Sequence, residues 1–134
     1  MAYDVESSRS ILFGGTGSGG TLGDTWTFDL AKNVWQNMGP SNAPSPRDHN
    51  ILSYSPEVGG VLLVGVGFGS ATDCCWTYQA NENKWIDISP TGEMPDARDH
   101  MQGAFTPSGF FFFGGFSGVP DGPKGDIWVL KPVD

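Results

Sequence analysis

Three tryptophan-bearing segments recur at an almost fixed interval: Asp24-Thr25-Trp26-Thr27-Phe28-Asp29, Cys75-Trp76-Thr77-Tyr78 and Asp126-Ile127-Trp128-Val129-Leu130. Trp26 and Trp76 stand 50 residues apart, and Trp76 and Trp128 stand 52 apart. Other landmarks keep the same beat. Gly14-Gly15 returns as Gly65-Val66-Gly67 and Gly114-Gly115, Trp35 returns as Trp85, and Arg47-Asp48-His49 returns as Arg98-Asp99-His100. So many landmarks in one order make this a repeat protein. Its fold must be read one unit at a time.

The unit is about 50 residues, the length of one four-stranded propeller blade, and one blade alone cannot bury both of its faces. Helical periodicity is missing, and 20 glycines and 10 prolines punctuate short runs rich in Val, Ile, Thr and aromatics. Both features predict an all-β protein. The 134 residues form one predicted domain, with blade one at 1–46, blade two at 47–97 and blade three at 98–134.

In blade two, four strands are expected: Asn50 to Ser55, Val61 to Val66, Cys74 to Tyr78 and Lys84 to Ile88. Short turns at Pro56 to Gly60 and Ala80 to Asn83 make them an antiparallel meander. Blade one repeats this with Met1 to Asp4, Ser10 to Phe13, Thr25 to Asp29 and Val34 to Met38, without the Arg-Asp-His lead-in. Blade three has Met101 to Thr106, Phe110 to Phe113 and Asp126 to Leu130, without a fourth strand. Three blades are thus expected, the first and last incomplete.

The pattern resembles kelch repeats: an arginine and a histidine entering the first strand, a double glycine closing the second, Asp-x-Trp in the third and a tryptophan in the fourth. Gly14, Gly15, Trp26, Trp35, Gly65, Trp76, Trp85, Gly114, Gly115 and Trp128 carry the resemblance, which spans essentially the whole chain. It departs most in blade two, where Val66 interrupts the double glycine and Cys74 stands where Asp24 and Asp126 stand in the other blades. The resemblance implies kelch-type propeller blades. It says much less about activity, because such propellers serve diverse functions.

A net charge of −8, from 15 acidic against 7 basic residues, argues against nucleic acid and anionic lipid as partners. No run approaches the roughly 20 apolar residues of a membrane span, and the N-terminus lacks signal-peptide character. A cytoplasmic location is the default expectation. Cys74 and Cys75 are adjacent, too close for a relaxed disulfide. On the expected strand Cys74 to Tyr78 their side chains should point to opposite faces, one a small core filler and the other lying between sheets or at the surface.

The repeated ionisable clusters are Arg47-Asp48-His49 and Arg98-Asp99-His100. Two imidazoles and two carboxylates from adjacent blades form a donor set that suits a divalent metal. Structural use weighs more heavily, with Arg and His bonding inter-blade carbonyls and carboxylates, so no metal, cofactor or catalytic residue is assigned. Kelch-type copper oxidases need a cysteine-linked tyrosine and several further ligands, which Tyr3, Tyr54, Tyr78 and the two histidines do not match. The run Gly14 to Gly20 has the composition of a phosphate cradle but lies between strands, so it is expected to be a flexible hairpin loop. In Phe110-Phe111-Phe112-Phe113, alternate rings should face opposite sides of a sheet covered on both faces.

An incomplete arc leaves two uncovered blade faces. At about 60° per blade, two chains would close a six-bladed ring about a two-fold axis, so a homodimer is expected. Lys131-Pro132 would discourage further strand addition at the last strand. The long connections fall on one side of the meander, at Gly15 to Gly23, Ser41 to Asp48, Gly67 to Asp73, Glu93 to Asp99 and Phe116 to Gly125. The leading expectation is a non-catalytic module that binds a peptide, protein or glycan on this face. Arg47 and Arg98 would make anionic contacts, Phe68 and Phe116 apolar ones, and Asp48, His49, Asp99 and His100 polar ones. The alternatives are a small propeller enzyme acting on a sugar or metabolite, with the histidines and aspartates at its pore, and a gene fragment or structural remnant without its own ligand.

Overall fold

A computed structural model describes residues 1–65, 73–90, 93–118 and 120–131. Val66, Gly67, Phe68 and Pro132 lie outside these. Among the described residues the protein is all-β, without helix. Among these residues no helix is long and apolar enough to cross a membrane. The first sheet comprises β1 (Ala2–Asp4), β2 (Arg9–Gly17), β3 (Gly20–Asp29) and β4 (Val34–Asn37) in that order. The second comprises β5 (Ile51–Ser55), β6 (Gly60–Val64), β7 (Cys75–Gln79) and β8 (Lys84–Asp87), again in sequence order. The third holds β9 (Gln102–Thr106), β10 (Gly109–Phe113) and β11 (Ile127–Leu130), with β10 central. All pairings are antiparallel, so the chain is a series of blade-like meanders. The leading strands β1, β5 and β9 lie side by side along the inner edge.

The short turns are chemically fixed. Asp4 accepts from the amides of Glu6 and Ser7, and Asp29 accepts from that of Lys32. Asn33 and Asn83 occupy the same place before β4 and β8, with φ of 55° and 50°. Asparagine tolerates this left-handed conformation better than most residues.

Gly14 to Gly20 corrects the expectation of a flexible loop. Gly14 and Gly15 make a bulge, after which Gly15 pairs with Leu22, Thr16 with Thr21 and Gly17 with Gly20. A bulge bends a strand without ending its ladder, so a glycine-rich run can remain paired. The cysteines bring a second correction. Both thiols are buried and free, with Sγ atoms 2.8 Å apart. Strand alternation does not separate them because Cys74 precedes β7 and Cys75 begins it.

Blade two is sandwiched. One side of its sheet, with Val61, Leu63, Trp76, Tyr78 and Trp85, buries Ile11 and Phe13 of blade one. Its other side, with Leu62, Val64 and Cys75, meets Met101, Phe110 and Phe112 of blade three. This explains why every residue of β6 is buried, as a strand covered on both faces requires. Trp85 is completely buried and stands edge-on to Phe13, with centroids 5.1 Å apart.

The outer faces of the arc are different. Trp35 has the repeat position of Trp85 but is 47% exposed, stacked obliquely on Phe28 within its own blade. At the other end Phe110 and Phe112 point into the core, while Phe111, Phe113, Ile127 and Val129 are exposed. The four phenylalanines thus alternate as a two-faced strand demands.

Candidate functional site

Arg47 and Arg98 anchor the loop side of blades two and three. Arg47 donates through Nη1 to the carbonyls of Gly65 and Asp73, both at 2.6 Å. Its Nη2 meets Asp73 Oδ2 at 2.5 Å and Ser45 Oγ at 2.9 Å, and its Nε donates to Ser45 O. Arg98 repeats the arrangement with the Asp96 and Gly114 carbonyls and both carboxylate oxygens of Asp126. The same aspartates accept the indole N–H groups of Trp76 and Trp128. In blade one, Asp24 accepts from Trp26 at 2.6 Å.

These contacts are mainly within a blade, but the main chain of Arg47 links blades. Its carbonyl accepts from Gly15 N at 2.9 Å, and its amide donates to Leu22 O at 3.0 Å. A Cβ on Gly14 would lie 2.3 Å from that carbonyl, so glycine is required for the approach. Burial pulls the Arg47 guanidinium below its ordinary pKa, opposed by Asp73. Burial alone would raise Asp73, but hydrogen bonds from Ser45 and Trp76 and the charge of Arg47 hold it below the usual carboxylate range. The hydrogen bond from Arg98 is the main cause of the low pKa of Asp126.

The two residues after each arginine lie toward solvent. His49 and His100 have φ of 51° and 56°, an uncommon conformation for residues other than glycine. Repeating it brings the imidazoles of adjacent blades into a stack, with centroids 3.9 Å apart and planes 28° apart. His49 Nδ1 lies 3.2 Å from Asp48 Oδ1, and His100 Nδ1 lies 2.8 Å from Asp99 Oδ1. Asp48 also accepts from Thr16 Oγ1 on the β2–β3 hairpin, the main reason its carboxyl sits below the usual range. Beside the stack, Phe116 exchanges both backbone hydrogen bonds with Asp99, and its side chain is exposed.

Of the residues singled out from sequence, Asp48, His49, Asp99, His100 and Phe116 therefore come together on the exposed loop side. Arg47 and Arg98 do not join them. Both are buried, because their N–H groups satisfy carbonyls and carboxylates within the fold. The expected inter-blade carbonyl bonding also does not describe the histidines, whose partners are the neighbouring aspartates. Phe68 lies outside the described residues.

Thr16 and Asp73 were missed. Asp73 takes the role expected of an aspartate at position 74, from one residue earlier. An acid immediately before the expected position was the available signal. Also unforeseen is an apolar recess of about 150 Å³ between blades two and three, bordered by Cys74, Cys75, Met94, Met101 and Trp128. Arg98 borders it too, but its donors are already engaged. The histidine patch carries more accessible chemistry. No protein-family model matches the chain, and no curated protein matches it in sequence.

Proposed function

We propose that the chain is a kelch-type, non-catalytic binding module that recognises a peptide, protein or glycan on its loop side. The observation that carries this reading is the convergence of Asp48, His49, Asp99, His100 and Phe116 on one exposed patch. The carboxylates accept hydroxyl or amine donors, the imidazoles exchange hydrogen bonds, and Phe116 offers a flat apolar surface. The buried arginines hold this patch in place. A neutral glycan or a basic peptide suits it better than an anion does.

The functional unit in this proposal is a homodimer, with blade three of each chain covering blade one of the other to close six blades. Exposed Trp35 at one end and Phe111, Phe113, Ile127 and Val129 at the other support it. Additional blades on a longer polypeptide would cover the same faces, and light scattering on this chain separates the two cases. The binding reading is tested on glycan and peptide arrays with wild-type protein and with Phe116→Ala and Asp48→Asn. Selective binding that both substitutions weaken supports it. Binding indifferent to both, or none, overturns it.

A further inference from the structure

Two imidazoles and a carboxylate stand within reach of one ion. One ligand atom from each of His49, Asp99 and His100 can be chosen so that all lie within 4.8 Å of one another. In tetrahedral coordination with metal–ligand distances near 2.1 Å, the corresponding spacing is about 3.4 Å. The rings are exposed, so modest side-chain rotation can close that gap without moving the core.

We propose that His49, Asp99 and His100 bind a divalent transition-metal ion of the zinc class at the junction of blades two and three. Imidazole nitrogen favours such an ion over calcium or magnesium, which prefer oxygen. One ion can engage a nitrogen of each of the two neighbouring imidazoles. Two carboxylates on a chain of net charge −8 add attraction for a cation. Asp48, against Nδ1 of His49, leaves Nε2 of that ring to face the ion. The left-handed backbone recurs at both histidines, and the two imidazoles from different blades lie side by side. Three protein ligands leave a coordination position for water or a ligand oxygen. This inference is independent of the binding-module reading, because the ion itself is the probe.

The test is calorimetric titration of tag-free protein with zinc chloride, paired with cobalt(II) absorption spectra. One ion per chain is expected. His49→Asn and His100→Asn, which keep a residue tolerant of positive φ, should each weaken binding by about tenfold or more, as should Asp99→Asn. The double histidine variant should bind none, and circular dichroism should show its fold unchanged. Cys74→Ser/Cys75→Ser should retain the ion, and the cobalt spectrum should lack a thiolate charge-transfer band. No binding at millimolar zinc, undiminished binding in the double histidine or Asp99 variant, or binding lost only with the cysteines would overturn the proposal.

Discussion

The indole N–H of Trp85 donates to Thr25 Oγ1 at 2.9 Å across the boundary between the first two blades. Both groups are buried, so this bond gives direction to an otherwise apolar contact. Trp85→Ala should cost about 3–5 kcal/mol through lost contacts and a cavity. Thr25→Val should cost about 1–2 kcal/mol by leaving the indole N–H unpaired. Urea denaturation of both variants measures the difference.

Arg47→Met should destabilise the protein by about 3 kcal/mol, because Asp73 loses its counter-charge and the carbonyls of Gly65 and Asp73 lose their donor. Weakened binding in this variant would accompany a lower denaturation midpoint. The same midpoint in variant and wild type would refute the anchoring role.

Acid should weaken the fold at Asp73 and Asp126. Both have folded-state pKa values below the ordinary carboxylate value near 3.9, so the unfolded chain takes up protons first. Their stabilising contribution is complete above about pH 4 and is lost as pH falls through that range toward the folded-state values. Denaturation midpoints between pH 7 and pH 2 should fall less steeply in Asp73→Asn and Asp126→Asn, which start lower at neutral pH.

Gly14→Ala should cost about 1–3 kcal/mol, since its φ is 62° and the new methyl would strike the Arg47 carbonyl. Gly19→Ala is the control: a Cβ there meets nothing within 4 Å. Equal thermal stability of the two variants would contradict this account of the double glycine.

At the ends of the arc, Trp35→Asp and Ile127→Asp should each halve the mass measured by light scattering while leaving the β circular dichroism intact. The wild type is expected at twice the chain mass. A wild-type monomer would remove the six-bladed dimer.

Much of the architecture was legible because blade geometry imposes period on residue type. Phe110 to Phe113 announced a two-faced strand, and the turns at Pro56 to Gly60 and Ala80 to Asn83 announced tight meanders. The direction of side chains was harder to read. Arg47 and His49 share one motif, yet the first turns inward toward carbonyl oxygens and the second outward through positive φ. That divergence depends on a backbone angle that residue type only favours. Asp73 was hidden by an offset of one residue, because its role depends on where its oxygens reach. Gly14 to Gly20 was misread because composition does not distinguish a bulged ladder from a loop.

The contrast between buried Trp85 and exposed Trp35 concerns growth as well as packing. The two uncovered faces differ and lie at opposite ends of the arc, so contact between them is head-to-tail. Such contact has no intrinsic stopping point: it ends when the accumulated rotation returns to its start, and otherwise continues as a fibre. The curvature contributed at each blade boundary, including the one where Trp85 sits, therefore separates a closed particle from a filament. A substitution that flattens one boundary would favour the open outcome over the closed one without altering either end.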